Sequence, residues 1–375
     1  MTNQRKTISW ASPDIREEDI EAVKEAVKSG WIGGNGPILK VFEKEFAQKV
    51  HARYAIAVNN GTSALLAGCM AMMPENDILK VAVPSLTFIA SANAPFIFTR
   101  DIQFLDSDLK TFCVDTKNVK NDRNLIIPVD VGGVPCDYNK IKELGIPILE
   151  DAAEALGSEY KSNPVGSYAD ATIFSLHAAK IITSGEGGMI TTNSDELYEK
   201  ITSIINQGYS KTRQPWEYKH DKLGLNFRMT EMQAALGLKQ LRRLEEYVWH
   251  RLELYNLYHE ILGDYVEGYQ ECSIGHKNSH FLFPILVPVK KQILMVRRLW
   301  EMDGIETKIT WKPAHLQEQF YYTQGVSPLP NAEYIYRRII SLPISNKTSQ
   351  EDVEYIANRV IYHLKKINKD GVIIP

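Results

Sequence analysis

The stretch IFSLHAAKIITSGEGGMI (173–190) decides how this chain reads. It begins inside an apolar run, ATIFSL (171–176), with the composition of a strand buried on both faces. It ends inside GMITT (188–192), a second strand. Lys180 stands between them. Taken alone, it is a solvent-exposed loop lysine. Between two buried strands a closed apolar pocket disfavours its ammonium, lowers its pKa and leaves a nucleophilic amine. Gly185, Gly187 and Gly188 let the chain turn tightly beneath a ligand. Ser175, at the end of the first strand, offers a hydroxyl to a phosphate.

Further strands precede this pair. YAIAV (54–58), LKVAVP (79–84), IQFLD (102–106), NLIIPVDV (124–131) and IPILED (146–151) alternate with helical segments. About seven strands in this pattern predict an α/β sheet covered on both faces. NNGTSAL (59–65) puts Gly61, Thr62 and Ser63 between a strand and a helix start. Backbone N–H groups there bind phosphate and the hydroxyls add donors; an ordinary Ser or Thr cap is the plain alternative. ILEDAAEALGS (148–158) puts Asp151 at the C-terminal end of a strand, where open α/β sheets bind ligands. A carboxylate beside a heterocyclic nitrogen keeps it protonated, which makes a pyridoxal ring an electron sink. Glu154, one helical turn on, is placed to face the same pocket. The alternative, an acidic helix start, suits Glu150 better than Asp151.

Other segments supply side chains of mixed meaning. SGWIGGNGP (29–37) follows a helical pattern at 20–27, and no strand precedes it, so it is a poor dinucleotide fingerprint. A surface loop touching a partner or substrate fits better, with Trp31 its aromatic contact. Phe88, in PSLTFIASANA, either stacks on a planar ring or packs in the core. TWKPAHLQ (310–317) offers Trp311 and His315 to a sugar, or a structural histidine. Asn226 and Arg228 precede a helix with Thr230 as N-cap. After residue 195 the chain turns helical, and 229–262 reads as one long charged helix-forming stretch. It links a large domain (1–245) to a smaller C-terminal one (246–375) that mixes strands such as SHFLFPILV with helices.

Composition narrows the classes. The chain has 375 residues and a net charge of -3, which gives no general attraction to nucleic acid or anionic membrane. Cys69, Cys113, Cys136 and Cys272 form no CxxC pair, so neither a zinc site nor a redox dithiol is expected. No metal is expected elsewhere. The start, MTNQRKTISW, has no apolar signal core, and no run is long enough to span a bilayer. A cytoplasmic enzyme is the expectation.

NNGTSAL, PSLTFIASANA, EDAAEALGS, SLHAAK with GEGG, GLNFRMTEMQAALGLKQL and the late SLPIS (341–345) stand in one order. In that order and spacing they resemble the DegT–DnrJ–StrS sugar aminotransferases, from about residue 13 to the last helix. The resemblance implies the aspartate-aminotransferase fold, fold type I, with a mostly parallel seven-stranded sheet. It implies pyridoxal 5'-phosphate at a homodimer interface. Lys180 then matches the Schiff-base lysine, Asp151 the partner of the pyridinium nitrogen and Phe88 the ring-stacking aromatic. Gly61, Thr62, Ser63 and Ser175 match phosphate donors, and Asn226 the asparagine that reaches the neighbouring subunit's phosphate. Glu154 stands where many members have Gln. Trp31, His177, Arg228, Trp311 and His315 are the expected substrate contacts.

The implied reaction is ping-pong transfer of an amino group from L-glutamate to a nucleotide-linked keto sugar. GEGG after TSG looks like members that aminate C4 of a 4-keto-6-deoxyhexose; members acting at C3 tend to have GDGG. WKPAHLQ resembles enzymes of UDP-linked 4-keto-6-deoxy-N-acetylhexosamine, with GDP-linked 4-keto-6-deoxymannose next. C3 amination of a dTDP-keto sugar is the alternative. One departure is PVDVGG, where Asp130 replaces the His of many relatives. Sugar dehydratases of this fold carry His in place of the lysine, and a non-catalytic regulator would be expected to lose Lys180 or Asp151. Both are present.

Overall fold

The computed structural model describes residues 7–75, 77–210, 216–321 and 328–370. Its centre is built from β1 (Tyr54–Val58), β2 (Val81–Pro84), β3 (Ile102–Leu105), β4 (Leu125–Ile126), β5 (Leu149–Asp151), β8 (Ala171–Ser175) and β9 (Gly188–Thr192). A short hairpin, β6 (Glu159–Tyr160) and β7 (Asn163–Pro164), intervenes. One ladder runs β1-β9-β8-β5 and another β3-β2-β4. Parallel bridges at Ile126–Ile148 and Val129–Asp151 link the two. β9 is antiparallel to both its neighbours, whereas β5–β8, β2–β3 and β2–β4 are parallel. The expected strand at 124–131 pairs as a ladder only at Leu125–Ile126. Pro128 interrupts it, having no N–H to donate, although its carbonyl still accepts from Asp151 N at 2.9 Å.

Strand periodicity sends alternate side chains to two cores. Ile56, Ile173 and Ile190 meet one face, under α3 (Gly61–Ala71), α4 (Ala90–Phe96) and α6 (Asp195–Ile205). Ala55, Phe174 and Met189 meet the other, with α2 (Pro37–Lys49) and α7 (Glu231–Leu241). Outside these lie α1 (Glu17–Lys28), packed on α7, and α5 (Tyr138–Lys142). The loop at 29–37 lies at the surface, as expected, with 29–33 and 35 exposed, but its end is anchored. Its Gly36 has room only for hydrogen against Glu231, whose carboxylate accepts from Ile38 N at 3.0 Å and Leu39 N at 2.9 Å. That carboxylate satisfies the open N–H groups of α2.

The helix-forming stretch at 229–262 is two helices, α7 and α8 (Leu244–Leu262). Arg243 breaks it at φ -104 and ψ 6. Its guanidinium turns inward to Asp19 at 2.6 Å and also pairs with Glu18. Beyond α8, β12 (Gly268–Tyr269), β13 (Phe283–Leu286) and β14 (Ile339–Leu342) form an antiparallel sheet. α8, α9 (Gln292–Asp303) and α11 (Gln350–Asp370) close a third core around Leu254, Phe283, Leu299 and Ile356. The start of the chain joins this layer through an Ile8–Ile305 bridge. The remaining elements are the hairpin β10 (Tyr209–Ser210) and β11 (Lys219–His220), and α10 (Pro330–Tyr336). Among the described residues no helix is long and apolar enough to cross a membrane.

Candidate active site

The C-terminal ends of β5 and β8 open into a cavity of about 660 Å³. Lys180 reaches it from the turn after β8. That turn is held by Leu176 N to Gly187 O at 2.8 Å, Lys180 N to His177 O at 2.9 Å and Ser184 N to Leu176 O at 3.0 Å. Only glycine fits at Gly188, where a Cβ would lie 2.7 Å from the Asn60 backbone. The lysine turn is therefore pressed against the start of α3. Gly185, at φ 82, supplies the left-handed residue of the turn.

Three ionisable groups converge. Lys180 Nζ is 3.8 Å from Glu154 Oε1 and 4.3 Å from the centre of the Phe281 ring. Burial pulls the ammonium below its ordinary range, opposed by the charges of Glu154 and Asp151. Asp151 is 4% exposed. Burial pushes its carboxyl up, while Ser91 Oγ, donating to Oδ2 at 2.6 Å, and Ala153 N, donating to Oδ1 at 3.1 Å, pull it down. Glu154 is pushed up by burial against Lys180 and against Gly132 N, which donates to Oε2 at 2.7 Å.

The opposite end of the cavity is a polar cradle. Gly61, Thr62 and Ser63 form the first turn of α3, and Asn60 caps it by accepting from Ser63 N at 2.8 Å. Ser175 faces the same end, and a Cβ on Gly61 would lie 3.1 Å from the Ser175 Cβ. Ala153, Ile173 and Phe88 line the same cavity, Phe88 53% exposed and edge-on to Trp311 at 5.3 Å. This donor set fits pyridoxal phosphate: N–H groups and hydroxyls for a dianion, an acid for a ring nitrogen, flat apolar walls and a neutral-prone amine. His177 and Trp311 also line the cavity, His177 near Glu186 at 3.7 Å.

Other expected contacts lie elsewhere in the single chain. His315 is 7% exposed; its Nδ1 shares a hydrogen with Ser85 Oγ at 2.6 Å and its Nε2 is 3.7 Å from Glu333. It is a packed histidine that ties the 314–316 turn to the end of β2, not a cavity wall. Arg228 donates to Asn206 at 2.6 Å and lines a second depression with Gly33, Tyr209 and His220. Asn226 bridges to Asn206, and Trp31 is half-exposed; none of these three lines the Lys180 cavity. Asp130 is fully buried, its Oδ1 accepting from Tyr138 at 2.6 Å and Cys136 N at 2.8 Å, with the buried carboxylate of Glu150 nearby. Burial pushes both carboxyls up, and neither lines the Lys180 cavity.

Sequence reasoning missed Trp10, Phe281 and Ser91. Ser91 lies within the quoted PSLTFIASANA, and its small size beside a strand end was the available signal. Trp10 and Phe281 come from remote segments that meet each other at 6.2 Å, and nothing local marks them.

Comparison with known proteins identifies the family. The DegT/DnrJ/EryC1/StrS aminotransferase family matches residues 13–361. GDP-perosamine synthase of Escherichia coli O157:H7 is 33% identical over 365 residues, covering 95% of this chain and 98% of that protein. The UDP-4-amino-4,6-dideoxy-N-acetyl-beta-L-altrosamine transaminase of Campylobacter jejuni (strain 81-176) is 30% identical, covering 96% and 99%. The solved structure of Helicobacter pylori PseC, an aminotransferase involved in the biosynthesis of pseudoaminic acid, superposes with a TM-score of 0.89. It is 28% identical and covers 96% of this chain and 100% of its own. With this family match and this fold, the chain belongs to the DegT/DnrJ/EryC1/StrS family and is a pyridoxal-phosphate-dependent sugar aminotransferase of fold type I.

Proposed function

We propose that the chain aminates C4 of a nucleotide-linked 4-keto-6-deoxyhexose with L-glutamate as donor, in the synthesis of a cell-surface glycan. The carrying observation is the buried amine of Lys180, 3.8 Å from Glu154 and in one cavity with Asp151 and the α3 cradle. Bound pyridoxal phosphate supplies the electron sink for a carbanion. The chain supplies everything else. Asp151 would hold a proton at the ring nitrogen, and the hydrogen bond from Ser91 favours its charged form against burial. Gly61, Thr62, Ser63 and Ser175 hold the phosphate, and Phe88 covers one ring face. Lys180 binds the aldehyde carbon. With the cofactor bound, the free amine of Lys180 would be placed to move a proton between the donor Cα and the cofactor, as base and then acid. Glu154 holds the ring hydroxyl side, and its charge attracts the ammonium of Lys180.

The acceptor is a UDP-linked 4-keto-6-deoxy-N-acetylhexosamine or a GDP-linked 4-keto-6-deoxymannose, a reading supported by the UDP- and GDP-linked amino sugars in the relatives' names. His177 and Trp311 contact it. Two copies share their sites in a cytoplasmic homodimer: Asn226, with Trp31 and Arg228, lies off its own cavity and serves the partner's. Residues 1–245 form the cofactor-binding domain, with the two ladders acting as one seven-stranded sheet, and 246–375 the smaller one. Incubating the protein with glutamate and a panel of UDP-, GDP- and dTDP-linked keto sugars tests this. A C4-amino product from a UDP or GDP acceptor is expected. A C3-amino product from a dTDP acceptor alone refutes the assignment.

A further inference from the structure

Arg251, on α8, is 2% exposed, and its hydrogen bonds go to neutral groups. Its Nε donates to Asn346 Oδ1 at 2.8 Å. Its Nη1 donates to the carbonyls of His280 at 3.2 Å, Phe281 at 3.3 Å and Ile344. A guanidinium carries donors only, so it fixes the Asn346 amide with its oxygen toward Arg251. The amide nitrogen is left to donate, and it reaches the carbonyl of Ile181 at 2.7 Å. Ile181 follows Lys180 directly. The Phe281 ring, whose own carbonyl Arg251 holds, lies 4.3 Å from Lys180 Nζ. One buried cation thus grips both the chain leaving Lys180 and the residue facing its amine. Asn346 also follows SLPIS (341–345), a motif with no other part in the reaction.

A buried charge without a counter-ion is costly, and burial pulls this guanidinium down to about 9. Packing alone is served better by an apolar side chain. We propose that Arg251 and Asn346 are positioning residues for Lys180, locking the Ile181–Ile182 peptide, one residue beyond it, so that the amine stays over Phe281 in the cavity. The inference rests on Lys180 being the cofactor lysine. Without the lock the peptide can rotate and the amine reaches water, losing attack geometry.

Arg251→Met risks the fold, so Asn346→Asp is the decisive variant. It keeps an acceptor for Arg251 and gives it a counter-ion, but removes the donor to Ile181. Three readouts are needed: urea unfolding, trace acetic-anhydride labelling of Lys180 across pH in the cofactor-free protein, and borohydride-fixed cofactor on the Lys180 peptide over time. Asn346→Asp should unfold no more easily than the native chain. Its Lys180 should label with a higher apparent pKa and capture cofactor on the order of tenfold more slowly. Native labelling and capture in Asn346→Asp overturn the proposal, as does a labelling change that only tracks a fall in the unfolding midpoint. If the native chain fixes no cofactor at Lys180, the reading of the site fails, while labelling of the cofactor-free protein still decides the lock.

Discussion

Gly188→Ala should damage the cofactor site through the backbone alone. Gly188 starts β9 and is held on both sides, opposite Val58 in β1 and Ser175 in β8. An added Cβ would lie 2.7 Å from the carbonyl carbon and oxygen of Asn60 and 2.9 Å from Gly61 N. Ordinary contact starts at 3.4 Å, so the neighbouring backbone must retreat by roughly 0.7 Å. β9 is pinned by its two ladders. The Asn60–Gly61 turn therefore gives way, and that turn is the proposed phosphate cradle. Overpacking of this kind costs about 1–3 kcal/mol, which is roughly 5- to 150-fold in an equilibrium constant. Urea unfolding of the cofactor-free protein and tryptophan-fluorescence titration with pyridoxal phosphate measure the two shares. Gly185→Ala is the control. A Cβ there meets nothing within 4 Å, but φ is 82, so it costs about 1–2 kcal/mol of local backbone strain and leaves cofactor affinity unchanged. Native affinity and stability in Gly188→Ala, or an equal affinity loss in Gly185→Ala, refutes the reasoning.

Two further outcomes follow from the buried acids. Ser91→Ala removes the donor that lowers the Asp151 carboxyl. Asp151 then protonates at higher pH, so the acid limb of cofactor affinity should move upward; an unmoved limb in fluorescence titrations across pH contradicts this. Glu43 is pushed up to about 7 by burial, although Ala57 N donates to it at 2.9 Å. An unfolded glutamate titrates near about 4.3. A value raised on folding gives stability that is present at low pH and lost as pH rises through about 7. Glu43→Gln should flatten that slope in urea midpoints measured from about pH 5 to pH 9, and a retained slope would show that Glu43 is not its source.

The sequence was most legible where function and local pattern coincide. Lys180, Asp151, Ser175 and Gly61 each sit within a few residues of a buried strand, so the alternation of strands and helices was enough to bring them to one edge. Strand limits blurred at Pro128, because an apolar run continues past the point where hydrogen bonding stops. The split of α7 from α8 was hidden because Arg243 is a good helix former; only its long-range attraction to Asp19 in α1 ends the helix. His315 and Asp130 show the same limit. A polar residue in a loop motif reads alike whether it faces a ligand or a buried partner, and Ser85 and Glu150 lie far away in sequence. Phe281 and Arg251 act through tertiary contacts alone.

The central claim is that Lys180 is the residue that holds the cofactor. Borohydride reduction of the protein with pyridoxal phosphate, followed by proteolysis and mass spectrometry, tests it most directly. The account predicts the reduced cofactor on the peptide containing Lys180, and none on any peptide of Lys180→Ala. Stoichiometric cofactor on a different lysine of the native chain, or undiminished fixation in Lys180→Ala, would contradict it.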